Sequence, residues 1–448
     1  MRMSKAIAVR ALTVGLVLVL ADVAGAQALG RRGLMGVQLA PLDAATAASL
    51  KLASAEGVLI GGVVPGTPAE AAGLKAGDVI VAIGDAKAAD IPSLTTVLRK
   101  YYAGDVLPLK VVREGEPIEL KLTLAERPKE TSDEFDVLYE AAYVGDKRVR
   151  TIITRPKGEG ARPAVLFIQP MSQMSMDFGP RPHPFKRLVG ELTKAGYVVV
   201  RVERVGVGDS EGEDPRQTDV KTDVATFRGA LEKLATYDYV DKDNVFVLTH
   251  SLGAAIAPMV ARGAPVRGVI TYGAVGESWI DATVEASARS WKLEMLDDGE
   301  IAERTRKLAA FLNGVVAEGK TPRQVLESDA GLKQTFDSFV QSDEYIGGQH
   351  YTYVQAMEKL DVADAWKACD SPVLAIWGEA DFVATRADSA MIASAAKNGT
   401  LLALPGIDHN FEPAQDQEES YLAGFTNRFN EVLVEKVTAW MKEKMKKP

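Results

Sequence analysis

The 448-residue sequence predicts an α/β chain in which a mainly parallel sheet, covered by helices and topped by a helical cap, follows a small mostly-β domain. Three observations carry this expectation. Beyond about residue 137, continuous apolar runs alternate with helical stretches, the pattern of strands buried on both faces. Before residue 127 the β-type runs are short and punctuated by Gly and Pro. Between residues 277 and 367 the alternation gives way to helical, charge-mixed sequence with several Trp and Tyr, placed to cap a site at the strand ends.

The chain opens MRMSKAIAVRALTVGLVLVLADVAGAQA, in which Arg2, Lys5 and Arg10 precede an apolar stretch from Ala11 to Leu20, and Ala24-Gly25-Ala26 offers small residues for cleavage. Residues 1–26 therefore read as an export signal peptide, whose removal leaves a periplasmic or secreted protein. The apolar stretch falls short of the roughly 20 residues that span a bilayer, and no later stretch reaches that length, so no stable membrane insertion is expected after cleavage.

The formal net charge is −9, and the signal peptide holds three basic residues and one acidic, which leaves the remainder near −11. With no basic stripe to offset that charge, nucleic acid is not an expected partner. Cys369 is the sole cysteine, so no intramolecular disulfide forms; it precedes an apolar strand and reads as a buried thiol. The cation-rich end, "MKEKMKKP", reads as the solvated end of a last helix.

In the first domain, residues 30–127, the segment "GVLIGGVVPGTPAEAAGLKAGDVIVAIGD" spans Gly57 to Asp85. Pro65, Gly66 and Pro68 punctuate a turn, Thr67 is placed to cap a short helix, and Gly73 and Gly77 permit tight turns before Asp78. This stretch resembles a PDZ domain of the type found in HtrA-like bacterial proteases. The resemblance implies a groove that takes an extended peptide as an added strand, its terminal carboxylate received by backbone N–H groups. In "RGLMGVQLA" the cradle falls on Gly33, Leu34, Met35 and Gly36, and one wall on Val37 and Leu39. The helix Ser93 to Tyr102 supplies the other wall through Leu94, Val97 and Leu98, and the expected partner is a peptide C-terminus or a protein. A groove filled by the protein itself is the alternative.

Residues 128–136, "PKETSDEFD", are polar and acidic and read as a linker. From 137 to 448 a hairpin, "AAYVGDKRVRTIITRP", precedes the buried strands "AVLFIQ", "GYVVVRVE", "NVFVLT", "GVITYG" and "VLAIWG". The cap is the insertion 277–367.

Within that unit "NVFVLTHSLGAAIAPMVA" places Ser251 between an apolar strand and an alanine-rich helix. A serine hydroxyl is a weak nucleophile that needs a base, a group to orient the base, and N–H donors for the oxyanion. Asp381 follows a later strand in "IWGEADFVAT", and His409 another in "LPGIDHNF". Ser, Asp and His in that chain order resemble the α/β-hydrolase superfamily, and within it the exported, serine aminopeptidase-like hydrolases. "GYVVVRVERVGVGDSEG" resembles the family's Asp-containing segment, with Glu203 at the position usually held by Asp. The resemblance implies Ser251 as nucleophile, His409 as general base and acid, and Asp381 as the group that fixes the imidazole. Glu379 and Glu277 compete with Asp381 for the third role; the "G-x-x-D-x-x-V" spacing favours Asp381.

Two positions depart from the family pattern. Thr249 replaces the first Gly of the elbow, which calls for a slightly opened turn or a repacked neighbour. Gln169-Pro170 stands where His-Gly is usual, and proline has no N–H; the resemblance implies that the oxyanion donors are the amides of the following residue, Met171, and of Leu252. Met171, Met174 and Met176 either line an acyl pocket or fill core. His183 is a packing or substrate-contact residue, His350 orders the cap, and the ring of His250 points away from the serine. The four scattered histidines and one cysteine match no metal motif, and "GVGDSEG" lacks dinucleotide spacing, so neither metal nor cofactor is expected.

The sequence thus implies an exported serine hydrolase that cleaves an ester or peptide-type acyl bond through an acyl-serine, with a PDZ unit for recruitment. Two rivals stand beside it: a catalytically silent scaffold that binds peptides, and an acyltransferase using the same three residues.

Overall fold

The computed structural model describes residues 29–446 other than 53, 172 and 277; the expected signal peptide, residues 1–26, lies outside the described residues. Among the described residues eight strands form the large sheet. They are β1 (Phe135–Val144), β2 (Lys147–Pro156), β3 (Arg162–Ile168), β4 (Val198–Val202), β5 (Val240–His250), β6 (Gly268–Tyr272), β7 (Val373–Gly378) and β8 (Gly399–Leu404). Their spatial order is β8-β7-β6-β5-β3-β4-β2-β1. β3 to β8 run parallel, while β2 is antiparallel to both β4 and β1.

The strands read as continuous apolar runs because helices cover both faces. β4 (VVVRV) and β6 (GVITY) are buried at every position. Successive residues point to opposite layers. Leu166 packs in the layer that holds Phe227 and Ile256, and Phe167 in the layer that holds Leu188 and Trp440. Helices α1 (Pro184–Lys194), α2 (Val220–Leu234) and α3 (Gly253–Ala261) supply these covers, with Trp440 on the last helix, Val432–Lys444.

Register aligns the carboxy ends of the central strands: Ile168 pairs with Thr249, Thr249 with Thr271, and Tyr272 with Ile376. Chain leaving β3, β5, β7 and β8 therefore enters the same space.

Over that space lies the cap. Its two longest helices are α4 (Trp279–Leu293) and α5 (Asp298–Leu312), started by Ser278 and Asp297, whose side chains accept from the amides of Asp281 and Glu300. A four-residue turn, 294–297, folds them against each other as a hairpin. The cap has its own core of Trp279, Leu308, Phe311, Val315, Phe336 and Val354.

The N-terminal unit is an antiparallel sheet of Val37–Ala40, Val58–Val63, Val79–Ile83, Val106–Arg113 and Glu116–Thr123 in that spatial order, with helices Pro68–Ala71 and Ile91–Leu98. Gly66, Gly73 and Gly77 adopt φ of 72°, 77° and 90°, as the turns require. Thr67 stands at the N-cap, but its hydroxyl donates to the Val64 carbonyl (2.6 Å) rather than capping, while Glu70 accepts from the Gly66 amide.

Residues 128–136 do not behave as a free polar tether. Glu130 is buried, pairs bidentately with Arg201 (2.8 and 2.9 Å) and accepts from the Phe178 amide, and Phe135 and Asp136 already belong to β1. Composition marks this segment as polar; the buried Arg201 guanidinium that requires a carboxylate lies far along the chain. A second buried cluster joins the two units. Arg31 donates to Asp177 (2.5 Å), Asp209 (2.7 Å) and the Arg127 carbonyl (2.9 Å). Asp209 also accepts from the Arg32 amide and the Arg127 guanidinium, both at 2.8 Å. Burial opposes ionisation of Asp209, but the Arg32 amide and the charges of Arg127 and Arg31 outweigh it and hold its carboxyl below the usual range.

Candidate active site

Ser251 directly follows β5 in the left-handed region, φ 54°, which a non-glycine residue seldom adopts. Its amide donates to the Tyr272 carbonyl (3.0 Å), and α3 begins two residues later. The side chain is thereby set at the carboxy end of the sheet.

The structure brings Ser251, His409 and Asp381 together across 158 and 28 residues of sequence. His409 Nε2 lies 3.2 Å from Ser251 Oγ, and His409 Nδ1 lies 2.8 Å from Asp381 Oδ2. Asp381 is fully buried, and its other oxygen accepts from the Val383 and Ala384 amides, each at 2.8 Å. Those bonds fix the carboxylate, which in turn requires a proton on Nδ1 and leaves Nε2 as the acceptor facing Ser251. Burial works against charging His409, but the charge and hydrogen bond of Asp381, with Asp408 beyond it, raise its pKa above the ordinary 6.5. This geometry can withdraw a proton from a serine and return it to a leaving group. Glu379 is exposed and outside this set; Glu277 lies outside the described residues.

The loop carrying His409 is held by groups that the sequence does not single out. His250 Nε2 donates to the His409 carbonyl oxygen (2.8 Å), and Tyr272 Oη donates to the Asp408 carbonyl (2.5 Å). The Asp408 carboxylate accepts from the Asn410 and Glu412 amides, and Phe411 is buried with φ 65°. The His250 ring lies 4.7 Å from that of His409, centroid to centroid. Burial first, and then the neighbouring His409, push the His250 pKa well below 6.5, so the ring is neutral with its proton on Nε2. The target of the ring is the backbone of His409.

Thr249 fits without an opened elbow. β5 keeps its ladders with β3 and β6 through Thr249, and a Cβ placed on Gly253 would meet Thr249 Oγ1 at 2.7 Å and the Gln169 carbonyl at 2.8 Å. The missing side chain at 253 therefore accommodates the β-branched residue at 249.

At the end of β3, Arg204 donates to the Pro170 carbonyl (2.9 Å) and is itself held by Asp223 (2.8 Å). In a trans peptide the N–H points opposite the C=O, so the Met171 amide faces away from Arg204. Among the described residues neither the Met171 nor the Leu252 amide has an acceptor.

Above Ser251 and Leu252 opens a cavity of 490 Å³ between α4 and α5. The methionines are not among its lining: Met176 is fully buried beside Phe167 and Phe185, and Met171 and Met174 pack partly buried against the two core layers. His183 caps α1, accepting from the Phe185 amide and stacking on Phe178 (4.2 Å); burial, then Arg181 and Arg201, lowers its pKa to about 4. His350 caps the cap-domain helix Tyr351–Glu358. Glu203 is buried, accepts from Ser175 and the Asp209 amide, and is pushed to about 7, mainly by burial.

In the N-terminal unit Val37–Ala40 is an edge strand, paired with Val58–Val63 alone among the described residues. Val37, Leu39, Val97 and Leu98 are partly exposed and share one cluster; Leu94 is fully buried and belongs to the core beneath them. Gly33 and Leu34 pair with Glu126 and Ala125. Met35 is buried, its carbonyl accepting from the Ala69 amide, and Gly36, at φ 88°, passes so close to Thr67 that a Cβ would sit 2.2 Å from it.

Residues 33–124 match the family model described as PDZ domain, and residues 170–420 match the model described as Alpha/beta hydrolase family. Among curated proteins, a "Probable periplasmic serine endoprotease DegP-like" of Chlamydia muridarum is 42% identical over 99 residues, 22% of this chain and 20% of that protein. A "Probable periplasmic serine protease do/HhoA-like" of Haemophilus influenzae is 32% identical over 94 residues, 21% of this chain and 20% of that protein. The chain thus spans about one fifth of the length of these curated relatives. Similar solved structures include ferulic acid-bound Est1E of Butyrivibrio proteoclasticus, at 15% identity and TM-score 0.45, covering 68% of this chain and 98% of that one. Another is the acylaminoacyl peptidase of Pyrococcus horikoshii, at 11% identity and TM-score 0.45, covering 78% of this chain and 48% of that one.

Proposed function

From the premise that the chain belongs to the alpha/beta hydrolase family and carries a PDZ domain ahead of the hydrolase unit, we propose that it is an exported serine hydrolase acting on carboxylic acyl bonds. The observation that carries this reading is the unbroken line from Asp381 through His409 to Ser251 Oγ, at 2.8 and 3.2 Å.

Ser251 Oγ attacks the acyl carbonyl carbon as His409 Nε2 takes its proton. The Met171 and Leu252 amides receive the negative charge that forms on the carbonyl oxygen. Collapse expels the leaving group, which takes the proton from His409 and leaves an acyl-serine. Water, deprotonated by the same nitrogen, then releases the acid and restores Ser251. The Asp381 carboxylate steadies the imidazolium.

The unit boundaries at 30–127 and 137–448, with the cap at 277–367, belong to the same proposal, as does location in the periplasm or outside the cell. The N-terminal pattern of residues 1–26 and the likeness to periplasmic DegP-like proteins support that location. Among the described residues no helix is long and apolar enough to cross a membrane. The PDZ unit binds a peptide or protein; the groove between Val37–Ala40 and Ile91–Leu98 is the proposed place, with Gly33–Gly36 at the carboxylate end.

Fluorophosphonate labelling tests the central reading. Covalent modification confined to Ser251, and absent in Ser251→Ala, is expected. A folded wild-type protein that resists the reagent while binding peptides identifies a silent scaffold instead.

A further inference from the structure

We infer that the cavity above Ser251 is a slot for a linear aliphatic acyl chain, an assignment that rests on the serine-hydrolase reading given above. Its shape follows from one helix face. Ala282, Thr283, Ala286, Ser287 and Ser290 line it at the spacing of a single α-helical stripe, and Trp279 and Trp291 close the stripe at either end. At about 1.5 Å per residue the stripe is roughly 18 Å long. An extended chain with carbon–carbon bonds of about 1.5 Å advances roughly 1.25 Å per carbon, so the slot matches an acyl chain of about ten to fourteen carbons.

Small side chains give the slot its width, and their polarity is already spent. The hydroxyls of Thr283, Ser287 and Ser290 donate to the carbonyls four residues earlier, of Trp279, Thr283 and Ala286, at 2.7, 2.8 and 3.0 Å. The helix backbones of α4 and α5 satisfy themselves, and none of the described lining residues belongs to a strand to which an extended peptide could bond. A peptide drawn into this slot would find no ladder of backbone partners for its N–H and C=O groups, a cost an aliphatic chain avoids.

Charge confirms the direction of the slot. At the Leu308 end, beside Leu252, Val275 and Trp279, the lining is apolar. At the Trp291 end Arg304 sits over the Trp291 ring (5.8 Å) and pairs with Glu300 (2.6 Å); between the two ends Lys307, next to Leu308, pairs with Glu303 (3.1 Å), and Gln334, Thr335 and Ser338 add polar groups to the remaining wall. The acidic residues Glu300 and Glu303 of the lining are thus paired in place, and among the described residues no carboxylate of the lining stands beside Ser251 to receive the free ammonium of an aminopeptidase substrate. The chain lies along the α4 stripe from the apolar end, and the Arg304–Glu300 pair at Trp291 marks its outer limit.

The test is the specificity constant of the purified protein for p-nitrophenyl esters from acetyl to hexadecanoyl, beside aminoacyl arylamides. Each added methylene is expected to raise kcat/KM by about fourfold at most, up to a maximum between decanoyl and tetradecanoyl. Ala286→Phe, halfway along the stripe, should move the maximum to hexanoyl or shorter and lower the dodecanoyl-to-butanoyl ratio at least tenfold. Ser290→Phe, near the outer end, should shorten the optimum by less, so that a graded response separates blocking from misfolding. A flat profile, a maximum at acetyl, or faster turnover of aminoacyl arylamides overturns the proposal. Titration of Ser251→Ala with sodium dodecanoate needs no turnover. Binding that Ala286→Phe weakens at least tenfold supports the slot, and no binding overturns it. Dodecanoate binding without fluorophosphonate labelling of wild type would overturn the hydrolase reading alone.

Discussion

The Nε2 of His250 donates to the carbonyl oxygen of His409 at 2.8 Å, so the residue before the serine holds the backbone of the residue that faces it. In the proposed mechanism His250 touches no reacting atom; it positions His409. His250→Phe keeps an aromatic ring but removes the donor, and is expected to lower kcat about tenfold with little change in KM, since a small displacement of a reacting group costs rate steeply. His250→Gln retains an N–H and should recover part of that loss; equal stability with unequal kcat in the two variants would check the role.

Ser251→Ala should abolish fluorophosphonate labelling and lower ester turnover on the order of 10⁴-fold or more, with the thermal midpoint nearly unchanged. Residual activity near wild type would mean that another group attacks.

The acidic limb of the pH profile should report His409. As the proposed base it would act only when neutral, so activity should rise as pH climbs through its pKa, which Asp381 lifts above 6.5. Asp381→Asn removes the cause, and should lower kcat on the order of 10⁴-fold and shift the remaining limb to lower pH. The same elevation links to stability: the imidazolium's pairing with Asp381 stabilises the fold fully below the unfolded pKa near 6.5, and this contribution fades as pH rises through the folded value. Denaturant midpoints across that window, compared between wild type and Asp381→Asn, measure it.

At the elbow, Gly253→Ala should cost about 1–3 kcal/mol by crowding Thr249 Oγ1 and the Gln169 carbonyl, and should reduce kcat by displacing the Leu252 amide. Adding Thr249→Ala relieves one of the two contacts, so the double variant should regain part of the stability in chemical denaturation.

Removing Arg31 should destabilise the molecule by about 3 kcal/mol, because Asp177 and Asp209 lose a buried counter-charge. Arg31→Lys preserves charge but not the fork, and should fall between Arg31→Ala and wild type by calorimetry.

Much of the sheet and the three converging side chains were legible in the sequence. Ser251, Asp381 and His409 each follow an apolar run long enough to be a buried strand, and in a parallel sheet such residues emerge at one end. The supports of the site were not legible, because they depend on distant chain. Glu130 reads as a solvated linker residue until Arg201 is seen against it, and Arg31 as one cation in a basic pair until Asp177 and Asp209 close on it. Thr249 looked obstructive because clearance was sought at its own position, whereas it is provided at Gly253. His250 and Tyr272 act through backbone carbonyls, which leave no trace in residue identity.

The clamp on Arg31 and Arg32 sits immediately before Gly33, where the proposed peptide cradle starts. The start of the proposed cradle is thus fastened to the hydrolase unit by buried charges as well as by the chain that joins the two, and a guest held there would share that fastening.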